Sequence, residues 1–266
     1  MNAISEREFQ HFQRFIFEAA GITLSPGKKA LVSGRLSKRL AARQLGSFSE
    51  YIDLLASKGE SIEVQTAIDL LTTNETFFFR EPKHFEHLRA TAGAASKSQT
   101  FRVWSAASST GEEAYSIAMV LSDCRSGVGF EVFGTDISTR VLKKARTGLF
   151  VVERTRHIPP AFLKKFCLRG QGEYEGSVLV ERSLRQFVTF EHANLNTTLP
   201  ANLGRFDVIF LRNVMIYFNG DTKRDVVARV LSALKPGGFL YVGHSESLNG
   251  ISTAVEQVAP SIYRKP

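Results

Sequence analysis

Cysteine is scarce in this chain: among 266 residues only Cys124 and Cys167 occur, far apart and without a CxxC pair. That pattern excludes a disulfide-framed secreted module and fits a reducing compartment. Long apolar runs are missing too, since stretches such as "VIFL" and "SIAMVL" are far too short to span a bilayer. The opening "MNAISEREFQ" lacks the apolar centre of a signal peptide. A cytoplasmic protein without membrane insertion is the expectation. The six histidines show no HExxH and no clustered ligand spacing, so no metal is expected. "GHSES" (243–247) falls one glycine short of the hydrolase elbow, and no histidine follows Ser245 to complete a triad in the usual order.

What is present points to an ordinary folded chain. Apolar residues make up 43% of it, enough for one large or two modest domains. The net charge of +8 favours an acidic partner: nucleic acid, anionic lipid or an acidic protein surface.

Residues 1–72 read as a small all-helical domain. "SEREFQHFQRFIFEAAG" opens with Ser5 and Glu8 at capping-box spacing, places Phe9, Phe12, Ile16 and Ala20 on one stripe, and stops at Gly21. A second helix starts from Ser25 as cap with Pro26 in its first turn and runs to Gly46; "FSEYIDLLASKG" and "SIEVQTAIDLL" supply two more. Residues 73–99 form a linker and connecting helix. From 100 to 266 strand and helix signals alternate: strands at 101–106, 130–135, 206–211 and 238–243, helices at 112–123, 138–147 and 222–234. That alternation predicts an α/β domain with a parallel sheet. At about 165–192 the glycine-rich "RGQGEYEG" and the alternating "GSVLVERSLRQFVTFE" suggest a small antiparallel β-subdomain inserted into it.

The loop after the first of these strands, "SAASSTGEE", has a single glycine, Gly111, and lacks the GKS/T of a phosphate-cradling loop. Its helix begins with Glu112 and Glu113, which neutralise the positive helix end and would repel a pyrophosphate. Glu112 has a plainer reading as a capping acid. The next strand ends in Asp136, the usual place for a carboxylate that accepts ribose hydroxyls. A ribose without phosphates, joined to a cationic amino-acid tail, describes S-adenosylmethionine.

Five motifs in this order, "LTTNETFFFRE", "WSAASSTGEEAYSIA", "FGTDIS", "FLRNVMIYF" and "LKPGGFLYVGHSESL", closely resemble the chemotaxis receptor methyltransferase family. The resemblance runs from the first helix nearly to the C-terminus. It implies a Rossmann-like methyltransferase domain that carries a β-subdomain and follows a helical N-terminal domain. The implied activity is methyl transfer from S-adenosylmethionine to glutamate side chains of bacterial chemoreceptors, leaving S-adenosylhomocysteine. By the same resemblance Asn74, Thr76 and Arg80 line the cofactor site, Glu113 is the acid after the first strand, and Asp136 is the ribose acid. Asn194 and Leu195 lie beside the adenine, and Leu211, Arg212 and Asn213 near the methionine portion. Arg80 and Tyr217 lie near the sulfur and the transferred methyl, as the catalytic candidates.

Two docking features are expected. Arg35, Lys38, Arg39 and Arg43 share a helix face suited to an acidic receptor helix. Some family members also hold a receptor C-terminal peptide on the β-subdomain, and these have a longer glycine-containing turn like the one with Gly170, Gly172 and Gly176. A monomer is expected. The alternatives are a non-catalytic cofactor-binding scaffold, which would be free to lose Arg80 and Tyr217, and a nucleic-acid methyltransferase, which would show aromatic–basic interleaving.

Overall fold

A computed structural model describes residues 3–125, 129–200 and 203–266. The chain opens with four helices: α1 (Glu6–Ala20), α2 (Lys29–Ala42), α3 (Phe48–Ala56) and α4 (Ser61–Leu71). The capping box forms, with the Ser5 N–H donating to Glu8 Oε2 at 2.8 Å and the Glu8 N–H to Ser5 Oγ at 3.2 Å. Gly21 ends α1 at φ +70°, the left-handed conformation glycine adopts without strain. Ser25 makes no side-chain cap; Pro26–Lys28 form one 3-10 turn, so α2 starts later than the sequence suggests.

Then follow α5 (Pro82–Ala94), β1 (Phe101–Ser105), α6 (Glu112–Cys124), β2 (Phe130–Asp136) and α7 (Thr139–Thr147). Next come β3 (Leu149–Val151), α8 (Pro160–Phe166), β4 (Cys167–Arg169), β5 (Ser177–Val180), α9 (Arg182–Arg185) and β6 (Val188–His192). The chain closes with β7 (Phe206–Leu211), α10 (Gly220–Ser232), β8 (Leu234–Val242), β9 (Glu256–Ala259) and β10 (Ile262–Arg264). The main sheet has the order β6-β2-β1-β7-β8-β10-β9. Its first five strands are parallel, while β10 and β9 are antiparallel additions at one edge. Between β1 and β7 the winding reverses, which opens a crevice at the carboxyl ends of the strands.

The small antiparallel sheet, β3-β5-β4, spans 149–180 rather than the expected 165–192. The second half of "GSVLVERSLRQFVTFE" leaves it, because β6 pairs in parallel with β2. Phe190 explains the choice. Its ring lies 2.6 Å from where a Cβ would stand on Gly134 and makes an edge contact with Tyr115 at 5.6 Å. Only a glycine in β2 leaves room for that ring, so the apolar half of the alternation docks on the main sheet. "LKPGG" (234–238) opens β8, which pairs with β7 through a register shift, with Gly237 at φ +74°.

Two apolar clusters sandwich the sheet. One is continuous from Phe9, Phe12, Leu36 and Tyr51 of the helical bundle to Trp104, Ile209 and Leu240 of the sheet. The other joins α5, α6 and the small sheet through Phe85, Ile117, Phe150 and Phe210. Each such side chain, fully buried, contributes about 1.5–3 kcal/mol. The helical bundle therefore shares a core with the sheet and closes over its crevice. Asp69 of α4 tightens the joint by accepting the Thr139 and Arg140 N–H groups at 3.0 and 3.1 Å, capping α7 from another element.

Candidate active site

A cavity of about 380 Å³ fills the crevice. Its floor comes from the ends of β1, β2 and β7, and its roof from the segments after α1 and α4. The roof residues Ala20, Ile22, Leu24 and Lys28 were missed from sequence, because only the tertiary docking of the bundle brings them here.

Asp136 sits at the end of β2, buried, with its oxygens aimed at two backbone donors. Oδ2 accepts the Ser109 N–H and Oδ1 the Ser138 N–H, both at 2.9 Å. Burial pushes its carboxyl up to about 6, against the pull of those N–H groups. Beside it, Ile137, Ala193 and Leu195 give an apolar wall. Glu113 lies across the cavity, accepting from Ser105 Oγ at 2.7 Å and from Arg212 at 2.9 Å. Burial raises its carboxyl, and Arg212 and Ser105 oppose that rise. Glu112 points elsewhere: it is fully buried and bound by Arg154 of the turn after β3, which also donates to the Thr76 carbonyl at 3.1 Å.

Arg212 is buried between two acids, Glu81 at 3.0 Å and Glu113 at 2.9 Å, and donates to the Arg80 carbonyl. Burial alone would raise Glu81, but Arg212 and the His244 N–H together hold it below the usual range. Glu81 has φ +60°, and Phe79, Ser109 and Asn213 are further non-glycine residues at positive φ around the crevice. Such strained backbone gathers at functional sites because the surroundings over-determine it.

Asn74, Thr76, Arg80, Glu113, Asp136, Asn194, Leu195, Arg212, Asn213 and Tyr217 all line the cavity. Leu211 does not; its side chain is fully buried in the apolar cluster under the sheet, as the inward position of a central strand requires. Asn194 reaches the cavity, but its amide is taken, donating to the Ala19 carbonyl at 2.7 Å and accepting the Asn196 N–H at 2.9 Å. Arg80 makes one long bond, to the Glu75 carbonyl at 3.3 Å, and the Tyr217 hydroxyl has no partner among the described residues.

Three of the four residues of the expected docking face have partners within the fold. Arg35 donates to the carbonyls of Leu70, Leu71 and Thr72 at 3.1, 3.2 and 2.9 Å, satisfying the end of α4. Arg39 makes a forked pair with buried Glu63 at 2.8 and 2.7 Å, and Arg43 pairs with Glu60 at 2.9 Å. Only Lys38 of the four is exposed and in no ion pair among the described residues. Gly170, Gly172 and Gly176 lie in the turn joining β4 to β5, and β5 is the middle strand, so the open edges of the small sheet are β3 and β4.

Residues 74–263 match the family model described as "CheR methyltransferase, SAM binding domain", and residues 7–72 match "CheR methyltransferase, all-alpha domain". The chain belongs to the CheR methyltransferase family. It is 40% identical to the chemotaxis protein methyltransferase of Escherichia coli K12 and 41% identical to that of Salmonella typhimurium LT2, covering 98% of this chain and 91% of each relative. Chemotaxis protein methyltransferase 2 of Pseudomonas aeruginosa PAO1 is 38% identical, over 97% of this chain and 93% of the relative. The protein is thus an S-adenosylmethionine-dependent methyltransferase. The donor set suits that cofactor: Asp136 for ribose hydroxyls, an apolar wall for the adenine and Glu113 for the ammonium group. Among the described residues no helix is long and apolar enough to cross a membrane.

Proposed function

We propose that this protein transfers a methyl group from S-adenosylmethionine to glutamate side chains of bacterial chemoreceptors, giving glutamate methyl esters. The observation that carries this reading is the pair Arg80 and Tyr217, two cavity-lining groups that make no hydrogen bond or ion pair to another side chain among the described residues, the Arg80 guanidinium resting over the Phe77 ring at 5.6 Å. A guanidinium and a phenol suit an incoming carboxylate, the first by charge and the second by donating its O–H. The cofactor, when bound, supplies an activated methyl on a sulfonium. A glutamate side chain, with reference pKa about 4.3, is already ionised at neutral pH, so no general base is needed. The protein's work is alignment, an effect that reaches about 7–11 kcal/mol in favourable cases. Arg212, clamped between Glu81 and Glu113, keeps the cavity wall rigid while Glu113 retains acceptor capacity toward the ammonium end.

Docking would use two surfaces. Lys38 is exposed and in no ion pair among the described residues, and it suits an acidic receptor helix. The open edge of β4 and its turn, with Leu168 and Tyr174 half exposed, suit an extended receptor C-terminal peptide that adds as a strand. Gly170 is required in that turn, because a Cβ there would stand 2.0 Å from the Tyr174 carbonyl oxygen.

The test is incubation with methyl-labelled cofactor and chemoreceptor cytoplasmic fragments. Base-labile label on receptor glutamates is the expected result. Label that resists base, or label on nucleic acid alone, overturns the ester reading.

A further inference from the structure

We propose that Glu81, His84 and His244 form a binding site for a divalent cation of the zinc type, and that filling it opposes cofactor binding. The three side chains come from the start of α5 and the loop after β8. Their ligand atoms all lie within 4.8 Å of one another. Glu81 Oε2 is 3.4 Å from His84 Nδ1 and 3.8 Å from His244 Nε2. Around a tetrahedral zinc, with bonds of about 2.0–2.1 Å to nitrogen and oxygen, ligand atoms stand about 3.4 Å apart. Two edges of that tetrahedron are therefore close to size, and a turn of the half-exposed His244 ring closes the third.

His84 supplies the independent observation. Its ring is fully buried, stacked on Tyr241 at 5.3 Å with Phe210 edge-on at 6.5 Å, and neither ring nitrogen has a hydrogen-bond partner among the described residues. A buried imidazole with both nitrogens unsatisfied is costly and demands an explanation. Its Nδ1 lies 3.4 Å from the Glu81 carboxylate without making a hydrogen bond to it. Two imidazoles and one carboxylate suit zinc and its neighbours in the first transition row better than calcium or magnesium. The fourth position opens to solvent on the His244 side, where water would complete the shell. The three ligands were invisible in the sequence because Glu81 and His84 lie in "REPKH" and His244 in "GHSES", on opposite sides of β7 and α10.

The coupling follows from Glu81, whose Oε2 is also the partner of Arg212 at 3.0 Å. A cation drawing on that oxygen competes with the guanidinium and adds positive charge beside the wall whose Glu113 faces the cofactor's ammonium group, which S-adenosylmethionine and S-adenosylhomocysteine share. Linkage then requires that cofactor and cation weaken each other by one and the same factor.

The experiment titrates the full-length protein with Zn2+ against a chromophoric chelator, and separately with Co2+, whose visible spectrum reports tetrahedral coordination. One equivalent with a tetrahedral Co2+ spectrum is expected. His244→Ala, at a half-exposed position outside the cavity, should weaken zinc binding by roughly tenfold or more. The same variant should leave S-adenosylhomocysteine binding in chelator unchanged. Saturating S-adenosylhomocysteine should weaken zinc binding to the native protein. Absence of a stoichiometric site, or zinc binding that survives both His244→Ala and Glu81→Gln, overturns the site. Zinc and S-adenosylhomocysteine binding independently overturns the coupling.

Discussion

Helix α2 and the mouth of the cofactor cavity both present arginines, and they use them in opposite ways. On α2 the guanidinium groups of Arg35, Arg39 and Arg43 are consumed by the protein's own carbonyls and carboxylates. At the cavity Arg80 keeps its charge turned to the open space, with one long bond to a neighbouring carbonyl. The difference teaches that a run of basic residues in sequence does not say who its partner is. Burial of the opposing group decides it. Glu63 is 2% exposed, and Arg39 and the Tyr51 hydroxyl at 2.7 Å hold its carboxyl below the usual range, whereas Arg80, over the Phe77 ring at 5.6 Å, meets no carboxylate among the described residues.

The largest expected effect would break this comparison at α2. Arg39→Ala leaves a buried carboxylate without its main counter-charge, and we expect a loss of about 3 kcal/mol, the lower end of the range for broken buried pairs, since Arg39 is partly solvated. Urea denaturation measures it. Arg39 holds the Glu63 carboxyl below its usual range, so the contribution is present above that range and disappears as pH falls through the lowered value. Native and variant stabilities should therefore converge in acid. A variant as stable as native at neutral pH, but poor in receptor methylation, would return Arg39 to the docking face.

Next in size is Asp136, the residue proposed to accept the ribose hydroxyls. Asp136→Ala should weaken S-adenosylhomocysteine binding by about 1.5–3 kcal/mol, read by calorimetry. Its pH dependence carries the sharper test. The folded carboxyl lies near 6, above its ordinary 3.8, so in the free protein it stabilises the fold below 3.8 and loses that contribution as pH rises through 6. The ligand prefers the ionised form. Affinity should then fall as pH drops below about 6, by at most about tenfold per unit for one group. Asp136→Asn should flatten that profile, and an unchanged slope would remove Asp136 from the ribose.

Such residues were readable from sequence because the rule that placed them is local: a strand end, a loop and a helix start fix where Glu113 and Asp136 must lie. The roof was not readable. Ala20, Ile22 and Lys28 reach the cavity only because Asp69 caps α7 and Asn194 hooks the Ala19 carbonyl, contacts that no local pattern announces. The β-subdomain is present, but its bounds were misplaced for a related reason. "VLV" and "VTF" share one alternation, and only the space left by Gly134 sends the second to the main sheet. Leu211 sits at a strand end next to two cavity residues, and the two-residue period of the strand turns it into the core.

A smaller effect separates chemistry from binding at the cavity mouth. Tyr217→Phe removes a hydroxyl that has no partner among the described residues, so neither stability nor S-adenosylhomocysteine affinity should change much. Turnover with receptor should fall, with the loss in kcat rather than in cofactor binding. Equal losses in both would make Tyr217 part of the binding wall.

The smallest expected effect returns to α2 and asks what remains of its docking role once three arginines are accounted for. Lys38 is exposed, so reversing its charge should leave stability and cofactor affinity alone. An exposed ion pair is worth about 0.2–1 kcal/mol, so Lys38→Glu should weaken receptor methylation at limiting receptor by a few-fold at most. Charges farther apart than about 8 Å are screened at physiological ionic strength, so raising salt should close the gap between native and variant. Arg43 gives the control: it is also partly exposed, yet its bond to Glu60 at 2.9 Å already occupies it. If Arg43→Gln impairs receptor methylation at low salt while Lys38→Glu does not, the receptor must take Arg43 away from Glu60. The division between internally used and outward-facing cations on this helix would then fail.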